Sequence, residues 1–552
     1  MPSTPVPPQA VRRRTLDALA RESFDVLVIG GGITGAGVAR DAALRGLRTA
    51  LVEQDDFASG TSSRSSRLVH GGVRYLEHGQ LRLVFESSAE RRTLLRIAPH
   101  LVRPLAFVWP VYTGARVPRW KLAAGLALYD LLALFRNVGR HERLSIAGVL
   151  AHEPELAACG LTGGARYWDA ATDDARLTLA TVRSAIAAGA VVLNHARVVS
   201  LSSVDGRVGG AAVMDVMTGE QITMRARVVV NATGPWSDAV ERLAGGERRP
   251  AVRGSKGVHV CVARDRIRNS GAVTVIAPRD GRVMFILPAG EFTIIGTTDS
   301  YEVVAPEEVR ALETDVAYLL DAANHYFPGA RLERDDVVSA WAGLRPLMAS
   351  DGAEGDPGSA SREHVITSRV PGLVSVTGGK LTTYRVMASQ VVDAVQQALG
   401  APRTAARTAS MPLAGGDLAD VPGEITAATT LTQDASVATR LVRAHGSEWR
   451  SVWALADADA SLAERVESSR PYLMAELRHA IDEELAATLG DLLIRRTPIA
   501  FETLDNGRST ARRVAPRVAR WLSWSADETL AAIAAYDAEV ERMFRVEQRG
   551  AS

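Results

Sequence analysis

Residues 24–53, FDVLVIGGGITGAGVARDAALRGLRTALVE, read as a strand, a glycine turn, a helix and a second strand that ends in an acid. Few folds accept that order. Phe24 to Ile29 is an apolar run of the kind a strand buried on both faces requires. Gly30, Gly32 and Gly35 follow with G-x-G-x-x-G spacing and open an Ala-rich helix that stops near Gly46. Leu47 to Val52 is the next strand and delivers Glu53. Gly30 permits the tight turn, Gly32 lets backbone approach a pyrophosphate, and Gly35 lets helix and strand pack closely. The helix N-terminus faces the phosphates, and Glu53 is placed to accept hydrogen bonds from an adenosine ribose. The pattern predicts a dinucleotide site in a parallel α/β sheet.

Which dinucleotide is decided further along. An NAD domain continues with another crossover helix after the acid, but here the chain enters GTSSRSSRLVHGGVRYLEHG, dense in hydroxyls, Gly and Arg. RVVVNATGPWSD (227–238) is a later strand closing on Gly234, and LVSVTGGKLTTYR (373–385) is another, followed by Gly378, Gly379 and a helix start. Strand-then-glycine elements so far apart imply one extended cofactor touched at several places, which fits FAD better than NAD. Thr61, Ser62 and Ser66, with Ser63 beside them, suit its phosphate and ribose.

The blocks IGGGITGAGVARDAALRG, TSSRSSRLVHGGVRYLEHGQLRLV, ATGPW, KGVHV, IIGTTD, GLRP and GGKLTTYR stand in that order over about residues 24–390. In them the chain resembles the FAD-dependent, quinone-linked glycerol-3-phosphate dehydrogenase family. The resemblance implies oxidation of sn-glycerol 3-phosphate to dihydroxyacetone phosphate, with hydride passing to FAD and electrons to a membrane quinone. Relatives carry Lys at the position of Arg67, which makes Arg67 a weaker candidate for ligand contact, because a guanidinium fork does not replace a point charge. The alternatives are an oxidase that passes electrons to oxygen and releases peroxide, and a non-catalytic flavoprotein that binds a partner through C-terminal helices.

Lys plus Arg total 64 and Asp plus Glu 63, so no basic excess marks a nucleic-acid binder. Cys159 and Cys261 are the only cysteines and no His cluster has ligand spacing, which argues against a disulfide framework, a zinc site or any other metal centre. Reduced thiols in a cytoplasmic protein are expected. The N-terminus lacks the apolar core of a secretory signal. It reads as a flexible tail over 1–23, with a short helix from Arg14 to Arg21. No run is long enough to span a bilayer. Residues 119–143 combine LAAGLALYDLLALF with flanking Arg119, Lys121, Arg136, Arg140 and Arg143. Such a segment suits either an ordinary core helix or a helix lying in a membrane interface, and peripheral contact would let a protein without a spanning helix reach quinone.

The fold class expected is α/β with an all-α C-terminal domain. An FAD-binding Rossmann-like parallel sheet and an interleaved antiparallel-sheet substrate domain fill 24–400, and a separate helical domain fills 415–552. Strand-like runs over 191–230 and 251–300 are assigned to the antiparallel sheet. DGAEGDPGSASR (351–362) reads as an exposed loop. Ser525 to Glu528 is a capping box ahead of Leu530, Ile533, Val540 and Phe544 at near-helical spacing. LGDLLIRRT (489–497) resembles a segment of the family's C-terminal domain and is open between a docking surface, a regulatory cap and a structural role. A homo-oligomer is the expected assembly.

Oxidising a secondary alcohol with a flavin needs a base for the hydroxyl proton and cations for the rest of the substrate. Arg345 in WAGLRPL, placed where Pro346 is expected to turn the chain, is the first choice for a phosphate clamp. Lys380, beside Gly379 and the hydroxyls of Thr382 and Thr383, is the second cation. His70 in LVHGGVRY is the candidate base, and His259 in KGVHV is its rival or a substrate contact. Tyr75 and, with less weight, Arg74 are pocket candidates. Thr297, Thr298 and Asp299 line the pocket or form a turn.

Overall fold

A computed structural model of the chain describes residues 7–134, 137–245, 252–301, 304–348 and 363–548. The side chains of Arg74, His78, Val252, Arg253 and Met348 lie outside that description, as does the loop expected at 351–362. The N-terminal segment is not a flexible tail up to residue 23. Helix α1 (Pro8–Arg21) buries Leu16 and Leu19, and Arg12 donates to the carbonyls of Asn194 and His195 (3.1 Å each) and reaches Asp215.

Strand β1 (Ser23–Ile29), helix α2 (Ile33–Leu44) and strand β2 (Thr49–Val52) form the expected βαβ start. β1 pairs in parallel with β2 and with the strand Gln221–Asn231, so Val28 faces both Leu51 and Val230. The sheet continues through Leu373–Thr377 to Val365–Val370 on one side and to Val191–Leu193 on the other. Side chains alternate across it. Val26 and Val28 pack with α2 and the helix Tyr384–Ala398, while Leu27 and Ile29 pack with Leu16 and Leu19 of α1. A Cβ on Gly35 would sit 1.9 Å from the Gly30 carbonyl oxygen, so helix and strand meet at this spacing only through glycine.

The strands Ala196–Val204 and Arg207–Asp215 form a hairpin that adds antiparallel to Gln221–Asn231. They belong to the nucleotide sheet and not, as their alternation suggested, to the substrate sheet. Alternation reports one buried face and carries no information on which sheet the edge joins. The second sheet is mostly antiparallel and includes Arg103–Tyr112, Leu161–Ala171, Val252–Ala263, Val283–Ala289, Phe292–Gly296 and Val337–Met348.

Helices then run from Val421–Thr432 to Ala526–Phe544. Ser525 caps the last one, accepting from the Glu528 amide at 3.2 Å while its own amide donates to Glu528 at 2.7 Å. Val540 and Phe544 are buried but Leu530 is 66% exposed, so the inward stripe is narrower than the spacing implied. This helical region is not detached. Phe107, Tyr167 and Trp341 of the second sheet share one apolar cluster with Leu441, Val452, Phe501 and Phe544. Helix α3 (Arg119–Leu132) buries Leu122, Leu126 and Tyr129 and leaves Trp120 (74%) and Leu131 (53%) exposed.

Candidate active site

A cavity of about 450 Å³ is lined by residues of both sheets. The βαβ start contributes Gly30, Gly32, Glu53 and the Thr61–Ser66 loop. A Cβ on Gly32 would meet only Ser62 Oγ, at 3.2 Å, so the amide end of α2 faces open space. Ser62 Oγ accepts from the Ile33 amide (3.0 Å) and thereby sits at that helix start. Glu53 accepts from the Gly31 amide through Oε2 (2.6 Å) and from the Asp55 amide through Oε1 (3.0 Å). Burial raises its carboxyl to about 7 against those two amides. Thr61 Oγ1 donates to the Leu344 carbonyl (2.7 Å), tying the loop to the second sheet. Gly234 and Gly379 line the same space from the turns after their strands. Helix amides, an acid at the end of β2 and a long opening beyond them fit an extended dinucleotide.

The rest of the cavity is built on one pair of strands. Val252–Ala263 and Val337–Met348 are antiparallel in a register that sets Ser255 opposite Arg345, Gly257 opposite Gly343 and His259 opposite Trp341. Alternation puts all six on one face. Val258, Val260, Ala340, Ala342 and Leu344 point the other way into a buried core. Arg345 therefore lies inside a regular strand, not at the turn that Pro346 suggested; Pro346 pairs with Gly254.

Arg345 is oriented by its neighbours. Its Nη1 donates to Asp299 Oδ1 (3.1 Å) and Ser255 Oγ (3.3 Å), and Nη2 donates to Thr297 Oγ1 (3.1 Å). Asp299 is shared with Arg282, whose Nη1 is 3.1 Å from Oδ2. Gly257 makes the room: a Cβ there would stand 2.3 Å from Arg345 Nη2. His259 stacks on Trp341 (5.5 Å between ring centroids, 14° between planes), and its Nε2 is 2.8 Å from Ser66 Oγ. Burial first, and then the cations Arg345 and Arg67, push its imidazole down to about 3.

The remaining wall is a crossing of two loops. The His70 amide donates to Thr382 Oγ1 and Thr382 Oγ1 donates to the His70 carbonyl, each at 3.2 Å. Thr382 is thus a buried strut between the two loops at the cavity wall. Lys380 Nζ lies 3.5 Å from the centre of the buried Tyr75 ring, a cation–π contact. The His70 ring lies parallel to Tyr75, with centroids 6.4 Å apart. Asp169 holds this loop from behind, accepting from the Gly71 amide (3.0 Å) and Tyr129 Oη (2.7 Å) and pairing with Arg91.

His70, Tyr75, His259, Arg345, Lys380, Thr382, Thr61, Ser62, Ser66, Gly234 and Gly379 all line the cavity. Arg67 does not. Its guanidinium lies over Phe501 of the helical region at 4.7 Å, beside Asp174. Ser255 and Trp341 were missed, although each stands two or four residues from a motif residue on a strand and so shares its face.

A family model for FAD dependent oxidoreductases matches residues 25–385, and one for the C-terminal domain of alpha-glycerophosphate oxidase matches 406–529. A glycerol-3-phosphate dehydrogenase of Mycobacterium leprae is 40% identical over 548 residues, 98% of this chain and 92% of that one. The chain belongs to the FAD-dependent glycerol-3-phosphate dehydrogenase family. Another relative, the aerobic glycerol-3-phosphate dehydrogenase of Staphylococcus aureus, is 34% identical, with 96% of each chain covered. The Bacillus halodurans glycerol-3-phosphate dehydrogenase, solved in complex with FAD, superposes with a TM-score of 0.80 at 34% identity over 97% of this chain and 99% of that one. FAD is the cofactor of this family member.

Proposed function

We propose that the protein oxidises sn-glycerol 3-phosphate to dihydroxyacetone phosphate. The observation that carries this reading is the pair of cations, Arg345 and Lys380, on the wall of the cavity that also contains the dinucleotide end. Arg345, fixed by Asp299, Thr297 and Ser255, grips the phosphate with a preset fork. Lys380, on the opposite loop, supplies the second charge. Gly30 and Gly32 admit the pyrophosphate, Gly35 lets α2 close on β1 behind them, and Glu53 receives the adenosine ribose. FAD, held by these residues, would supply the acceptor for the hydride of the carbinol carbon.

His70 takes the hydroxyl proton. His259 is held neutral between Trp341 and Ser66, with its conjugate acid disfavoured by burial and by Arg345 and Arg67. It therefore orients substrate as a hydrogen-bonding group. Tyr75, under Lys380, completes the pocket.

A membrane quinone is the proposed electron acceptor. Among the described residues no helix is long and apolar enough to cross a membrane, so access to quinone is peripheral. The exposed Trp120, Leu131 and Leu134 of α3 and its C-terminal turn, with Arg119 and Lys121 alongside, suit an interfacial contact.

The test is anaerobic addition of glycerol 3-phosphate to purified holoenzyme. Bleaching of the flavin band, reversed quickly by a quinone analogue and slowly by air, is expected. Fast reoxidation by air with peroxide would replace quinone by oxygen, and no bleaching would refute the substrate. Trp120→Asp with Leu131→Asp should abolish flotation with anionic vesicles; retained flotation would refute the contact through α3.

A further inference from the structure

The loop that follows Glu53 is held from behind by the helical region. A π-helical turn, Asp491–Arg496, points two buried arginines at Asp56. Arg496 grips Asp56 with both nitrogens, Nη1 at 2.5 Å from Oδ2 and Nη2 at 3.0 Å from Oδ1. Arg495 adds a third contact through Nε at 2.6 Å, while its Nη2 donates to Asp491 (2.9 Å) and its Nη1 to Glu539 (2.6 Å). Asn194 Nδ2 donates to Asp56 Oδ1 (3.0 Å), and His195 Nε2 meets Asp491 Oδ2 (2.9 Å).

These contacts join two segments already zipped together. The Glu53 amide donates to the Leu193 carbonyl (3.0 Å), and the Ala196 and His195 amides donate to the carbonyls of Glu53 and Asp55 (2.7 Å each). Glu53, Gln54, Asp55, Ala196, Arg197 and Val198 are the wall of the cavity on this side. Asp56, Asp491, Arg495 and Arg496 all have side chains no more than 4% exposed, where losing one partner leaves a costly buried charge. Oxygen and nitrogen atoms of Asp56, His195 and Asp491 come within 4.8 Å of one another. Both Asp56 oxygens already accept from arginines, which would repel a metal ion.

We propose that the helical region is a cofactor-retention device: its Asp491–Arg496 turn locks the Glu53–Asp56 loop and so positions Glu53 for FAD. Asp56, Arg495 and Arg496 are positioning residues that touch no ligand. The inference rests on Glu53 being the ribose acceptor.

The test is a double-mutant cycle on FAD affinity, read by flavin fluorescence on deflavinated full-length protein. Glu53→Ala and Asp56→Asn should each weaken FAD binding by about tenfold or more, and together by little more than either alone, as coupled sites do. Asn keeps the shape of Asp56, and Arg495 retains Asp491 and Glu539, so the fold has a route to survive. Arg496→Met provides the second entry to the cycle, with circular dichroism of the apoprotein as the control. An unchanged FAD affinity in Asp56→Asn and Arg496→Met, or effects that multiply with Glu53→Ala, would overturn the lock alone. An unchanged affinity in Glu53→Ala would overturn the ribose assignment and the lock with it.

Discussion

Replacing Arg345 by Met isolates the phosphate clamp. The guanidinium has Asp299, Ser255 and Thr297 as partners, and Asp299 keeps Arg282 at 3.1 Å when Arg345 is gone. The carboxylate is therefore not stranded, and the strand Val337–Met348 keeps its ladder to Val252–Ala263. What is lost is one fork of charge-assisted hydrogen bonds. Each is worth ~1.5–3 kcal/mol, and together they amount to about 3 kcal/mol after discounting for a side chain 19% exposed. That corresponds to roughly a hundredfold loss in kcat/KM for glycerol 3-phosphate. Steady-state assays with a soluble quinone analogue should show this loss with FAD content unchanged. The same assay with glycerol, which has no phosphate, should show little difference between wild type and Arg345→Met. Arg345→Lys should fall between them, retaining charge without the fork. Equal losses on both substrates, or a loss below about fivefold on the phosphate ester, would refute the clamp.

Gly257→Ala should reproduce the Arg345 phenotype in milder form, since its Cβ would stand 2.3 Å from Nη2; a raised KM at constant FAD content checks it. FAD affinity should rise between pH 6 and 8, because Glu53 titrates at about 7 and its carboxylate is the form that accepts the ribose hydroxyls; a flat affinity profile would exclude Glu53. Stability should fall on mild acidification. Burial holds His100 and His259 at about 3 and His479 at about 4, so the unfolded chain binds protons first, below its ordinary value near 6.5. Each costs ~2 kcal/mol by pH 5. His195, raised beside Asp491, and the buried carboxyls of Glu53, at about 7, and Asp174, at about 6, run the other way, their contributions present at low pH and lost as pH rises through their folded values. Urea midpoints at pH 7.5 and 5 measure the balance, and a higher midpoint at pH 5 would contradict it.

The dinucleotide end was legible because its signal is local. Gly30, Gly35 and Glu53 sit within one βαβ unit, and chain geometry alone brings them together. Lys380 and His70 were singled out in their family blocks and both line the cavity, but nothing in either block says that Thr382 bolts to the His70 backbone or that Lys380 rests on Tyr75. The docking of α1, expected only as a short helix from Arg14 to Arg21 in a flexible tail, and the sheet joined by the hairpin Ala196–Asp215 were missed for a related reason. Their own residues allow the observed structure, but Leu16, Leu19 and Arg12 become decisive only when the sheet they cover exists.

By itself, the sequence determined the nucleotide-binding start, the cofactor class and the family, since short spacings and residue type encode turns, helix ends and charge. Only the tertiary structure decided which side chains face one another. Ser255 meets Arg345 across 90 residues through strand register, and Asp56 meets Arg496 across 440 through domain packing. Such contacts form where burial makes an unpaired charge or polar group too costly, and burial is a property of the assembled core rather than of any segment that enters it.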